Sequence, residues 1–63
     1  MTEILTSDNV LALMEKQLLN APVSSKTMLL LAFYMDFAIS TESLLLIQLV
    51  QDRITKYYLE NFS

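Results

Sequence analysis

No glycine occurs among the 63 residues of this chain, and Pro22 is its only proline. Tight turns between strands rely on pairs such as Asn-Gly or Asp-Gly, whose backbone reaches positive φ at little steric cost. None is present. The chain is therefore expected to be all-α, with helices punctuated by polar caps. There is no internal repeat or low-complexity segment, and the length allows one small domain over 1–63.

Three helices are expected, at about 7–20, 25–39 and 41–60. "TSDN" offers side chains that accept the free N–H groups of a first turn. Val10, Leu11, Met14, Leu18 and Ala21 then recur at three- and four-residue spacing. Pro22 disfavours helical geometry at Ala21, so the first helix should stop near Asn20. Ser24 or Ser25 should cap the second. From Met28 to Ile39 that helix carries one charge, Asp36, and Leu29, Leu30, Leu31, Phe33, Met35, Phe37 and Ile39 surround its axis. A surface helix has one apolar stripe and a polar back; this one lacks the back and should be covered on more than one side. Ser40 or Thr41 should cap the third helix, with Glu42 in its first turn at the positive end of the dipole. Ile47, Val50, Ile54 and Tyr58 form its expected buried face, and fraying is expected by Asn61. A break near position 40 is favoured over one long bent helix, although no Gly or Pro enforces it.

The run Met28–Val50 is about as long as a membrane span. Asp36 and "STES" interrupt it, and an acid near a bilayer centre costs about 2.5–3.5 kcal/mol on insertion scales. The flanking apolar pieces are each too short to span alone. Two buried helices meeting at a polar corner fit better, and a membrane partner is disfavoured. The N-terminal "MTEILTSDN" carries acids where a signal peptide carries basic residues, which points to a mature cytoplasmic chain.

With no Cys and no His, disulfides are excluded, the common zinc spacings are absent, and the usual nucleophile–base pairs cannot be built. No Gly-rich loop can cradle phosphate. Ser7, Ser24, Ser25, Ser40 and Ser43 fall at helix starts and are expected to cap. The carboxylates are dispersed along the chain. No enzyme activity, cofactor or metal is expected. Lys16, Lys26, Arg53 and Lys56 are scattered and the net charge is −3, which disfavours nucleic acid as a partner. The region around "ISTES" suits a helix-turn-helix only superficially. Its would-be recognition helix, "ESLLLIQLV", is apolar and acidic where base and phosphate contacts are needed.

Protein partners remain. Hydrophobic residues make up 54% of the chain and charged ones 17%, against about 25% charged in an ordinary domain. A chain this short buries only about 60% of its unfolded surface. The expected architecture is a helical hairpin of the second and third helices, with the first packed across it, assembled as a homodimer. Leu30, Phe33 and Phe37 are expected in the core or the dimer seam. Arg53, Tyr57, Phe62 and Asp36 are the candidate protein contacts, because interfaces favour Tyr and Arg. Tyr58 aligns with Ile54 and is expected inside, which turns Tyr57 outward. Asp36 is expected on a thin exposed strip. Met14, Met28 and Met35 are expected to fill core gaps. The expected function is that of a small non-enzymatic regulator or adaptor holding a larger protein, as an inhibitor, anti-activator or co-chaperone does. An atypical helix-turn-helix repressor and an obligate subunit of a hetero-complex are the alternatives.

Overall fold

The computed structural model describes residues 4–62, so Met1 and Glu3 lie outside the described residues. Three helices are present, α1 (Val10–Leu18), α2 (Ser25–Ser40) and α3 (Leu44–Phe62), with no strand among the described residues.

α1 begins later than its sequence pattern suggests because the polar run forms a separate turn. Thr6 and Asn9 satisfy each other: Thr6 N–H donates to Asn9 Oδ1 at 2.7 Å, and Asn9 N–H to Thr6 Oγ1 at 3.3 Å. This reciprocal pairing resembles a capping box. It places the cap one turn upstream of the regular helix. α1 also ends earlier than expected, at Leu18 rather than near Asn20. Leu19 is extended (φ −62°, ψ 115°), Asn20 is left-handed (φ 59°), and Ala21 N–H returns to Leu18 O at 3.1 Å. These are the features of a type II turn, with Asn at the position that requires positive φ.

Ser24 caps α2, its Oγ accepting Thr27 N–H at 3.3 Å. Thr27 is buried, and its hydroxyl donates to Pro22 O at 2.6 Å, which fastens the α1–α2 connection to the first turn of α2.

α2 and α3 are separate helices. The corner is polar as expected, but Ser40 and Thr41 do not cap α3. Their hydroxyls donate backwards, Ser40 to Phe37 O and Thr41 to Ala38 O, each at 2.6 Å. Ser43 is the cap instead, accepting Leu46 N–H at 3.2 Å. Glu42 lies before the helix rather than in its first turn. It takes the left-handed conformation (φ 60°) that glycine commonly supplies after a helix. α3 runs to Phe62 without fraying at Asn61, whose side-chain amide donates to Tyr57 O at 2.8 Å.

The core draws on all three helices: Val10 and Met14 from α1, Leu31, Tyr34 and Ala38 from α2, and Leu46, Val50 and Tyr57 from α3. Leu11, Leu18, Met28 and Met35 pack against it, half-buried. α2 thus buries one face, and among the described residues nothing covers the other. Of the expected α3 face, Val50 is buried and Ile47 and Ile54 are half-buried against the core, but Tyr58 is exposed, and Leu46 and Tyr57 are buried in addition, which corrects the expected face. The molecule measures 30 × 30 × 17 Å.

Candidate functional site

The expected contact residues separate into occupied and open positions. Tyr57 is buried at 4% exposure, and its hydroxyl donates to Ala21 O at 3.0 Å. That carbonyl lies in the α1–α2 connection, so Tyr57 ties α3 to it and is not an outward contact. Tyr58, expected inside, is 41% exposed. The two neighbours have exchanged roles because residues adjacent on a helix point about 100° apart. Arg53 donates through Nε to Glu15, pairing α3 with α1. It is the one ion pair between side chains of the described residues, and any partner contact by Arg53 competes with it. Phe62 is exposed at the end of α3. Asp36 is exposed on α2, but within a broad uncovered sector that also holds Leu29, Ala32, Phe33 and Ile39 rather than on the thin strip expected for it.

Of the expected seam residues, Leu30 and Phe37 are half-buried against the core. Phe33 is 54% exposed, with its ring edge-on to that of Tyr34, ring centroids 5.5 Å apart. Beside it Leu29 is 72% exposed. Lys26, Leu29, Phe33 and Asp36 fall within about 80° of the α2 wheel, opposite Leu31. In the sequence Lys26 is one of four scattered basic residues, and Leu29 one of the apolar residues that surround the helix axis. The signal was their three- and four-residue spacing with Phe33 and Asp36.

A second apolar area lies along α3 and its junction with α2. Tyr58 and Phe62 have ring centroids 5.1 Å apart, and the Tyr58 hydroxyl is 3.5 Å from Met28 Sδ on α2. Ile39 and Leu44 are exposed at the polar corner. α1 contributes nothing to these contacts. Its bonds run from Gln17 to Tyr34 and from Glu15 to Arg53.

Two open clefts flank α1. One, of about 310 Å³, is lined by Glu15, Arg53, Lys56 and Glu60 with Leu18 and Tyr57. The other, of about 620 Å³, lies between the end of α1 and α2, beside Gln17, Pro22, Lys26 and Leu29. In neither does a base face a nucleophile. Among the described residues no three carboxylates converge as a metal site would require, and no helix is long and apolar enough to cross a membrane. The perturbed titratable group is Tyr34, whose phenol burial pushes up. Its hydroxyl donates to Gln17 Oε1. This hydrogen bond ties α2 to α1.

Compared with known proteins, the chain matches no family model, no curated protein and no solved structure.

Proposed function

We propose that this chain is a small non-enzymatic protein-binding module. It is a regulator or adaptor of the inhibitor, anti-activator or co-chaperone type that holds a larger protein in the cytoplasm. In this reading α2 and α3 act as a helical hairpin braced by α1, and the module works as a homodimer.

The observation that carries the proposal is the exposed aromatic pair Tyr58 and Phe62, seated beside Met28 where α3 meets α2. Aromatic residues and Met are enriched in interfaces, where rings bring a large contact area with few rotatable bonds. These residues belong to a chain whose charged fraction is only 17%. Removing apolar surface from water gains about 25 cal/mol per Å². Phe62 is 56% exposed, so its truncation should spare the fold.

The test is a binding titration against the protein recovered with the full chain from its native cell, with thermal melts in parallel. Phe62→Ala is expected to weaken binding by about 1–3 kcal/mol, as a hot-spot aromatic does, and to leave the melt unchanged. Unaltered binding in Phe62→Ala and Tyr58→Ala, with loss on changing α1, would place the site elsewhere. Salt-dependent binding to duplex DNA would favour a repressor instead. Folding only when one specific protein is coexpressed would favour an obligate subunit.

A further inference from the structure

The outer strip of α2 is symmetric about the level of Leu31. Lys26 and Asp36 stand five residues either side of Leu31, and Leu29 and Phe33 stand two residues either side of it. At a rise of about 1.5 Å per residue, the charges lie about 7.5 Å and the apolar groups about 3 Å from that level, in opposite directions. All four share one exposed sector of the helix. Their spacing of three, four and three residues is that of the a and d positions of a coiled coil. Lys26 and Asp36 form no ion pair with any described residue.

From this geometry we infer that two copies of the chain pair through α2, antiparallel, about a two-fold axis at the level of Leu31. A two-fold interface sets residue i of one copy against residue j of the other, and j against i. Turning one strip over onto another about that axis brings Lys26 against the partner's Asp36 at both ends. It brings Leu29 against the partner's Phe33 on both sides of the centre. Opposite charges meet twice, and no like charges meet. A parallel pairing instead stacks Lys26 on Lys26 and Asp36 on Asp36. The occupant of the strip is thus a second copy of this chain, selected by charge as well as by apolar contact. The inference rests on the homodimeric part of the proposed function and specifies its surface and register. The strip is short, so the interface lies at the small end of specific assemblies, below about 1,200 Å² in total. Micromolar rather than nanomolar association follows.

The test uses the full chain and two charge reversals, Lys26→Glu and Asp36→Lys. Both sites are exposed, and a glutamate at position 26 suits the positive end of the α2 dipole, so both variants should fold. Melts followed by circular dichroism check this. In sedimentation velocity the wild type is expected to self-associate at micromolar concentration. Each variant sets like charges together twice and should associate at least about tenfold more weakly. An equimolar mixture restores opposite charges at both contacts, so it should recover wild-type strength as a one-to-one heterodimer in native mass spectrometry. Added salt should weaken the wild type and the mixture alike. A wild-type dimer indifferent to both reversals overturns this register and leaves dimerisation intact through another face. A wild type that stays monomeric at high micromolar concentration overturns the inference and the homodimer together, while the Phe62 titration judges partner binding separately. A mixture that fails to pair also overturns it.

Discussion

Removing one hydroxyl from Tyr57 should destabilise the protein, and the same change at Tyr58 should not. Tyr57 is buried, and its hydroxyl donates to Ala21 O at 3.0 Å, across the gap between α3 and the α1–α2 connection. A net hydrogen bond contributes about 0.5–1.5 kcal/mol, and more when its loss strands a buried partner. Tyr57→Phe should therefore cost about 1 kcal/mol, which lowers Tm by about 4–8 °C in a domain of this size. Tyr57→Ala also removes the ring, at about 3–5 kcal/mol. At about 0.05–0.15 kcal/mol per residue, the 63-residue chain has only about 3–9 kcal/mol in all, so this variant should be largely unfolded. Tyr58→Phe loses an exposed bond to the Met28 sulfur, a weak acceptor, and should stay within about 0.5 kcal/mol of wild type. The assay is thermal melting by far-ultraviolet circular dichroism at one fixed concentration, because self-association makes Tm concentration-dependent. A Tyr57→Phe melt matching wild type, or a larger loss in Tyr58→Phe, would refute the assignment of α3's buried face.

Glu42→Gly should raise stability by about 0.5–1 kcal/mol in urea unfolding. The left-handed conformation costs a residue with a Cβ about 1–2 kcal/mol, and glycine avoids that at some cost in unfolded-chain entropy. Burial raises the pKa of Tyr34, so the folded state holds the phenol proton more tightly than the unfolded chain does. The stability from this group is complete below the unfolded value of about 10 and is lost as pH rises through the raised folded value. Alkaline unfolding titrations should show this loss in the wild type and a flatter profile in Tyr34→Phe.

The limits of α2 were legible because their chemistry is local. Pro22 disfavours helical geometry at Ala21, and Ser24 has a hydroxyl within reach of an N–H three residues on. The break after α2 was legible for a similar reason, since a cluster of hydroxyls and an acid interrupts the apolar run. Which hydroxyl caps α3 was not legible. Ser40, Thr41 and Ser43 are chemically equivalent as caps, and the choice depends on how far α2 continues. α2 runs through Ser40, which commits the first two hydroxyls to the Phe37 and Ala38 carbonyls and leaves Ser43. Glu42 follows from the same step, because a left-handed residue must lie between the two helices and the chain has no glycine to put there.

The candidate surface turned on a subtler ambiguity. The start of α3, "LLLIQLV", is apolar on almost every side, so two stripes that share Val50 are available: Leu46, Val50 and Tyr57, or Ile47, Val50, Ile54 and Tyr58. Periodicity cannot choose between stripes that differ by one position. Tertiary contacts choose. α1 lies where Glu15 meets Arg53, and its trailing connection places the Ala21 carbonyl where only Tyr57 reaches it. Once that stripe is buried, Tyr58 turns toward Met28 and Phe62 and becomes part of the open surface. The α2 strip is a different case. Its apolar and charged positions were all visible, but a lysine in the first turn of a helix usually signifies only solvation. Lys26 gains meaning when the structure leaves it and Asp36 on the same uncovered face, at equal distances from Leu31.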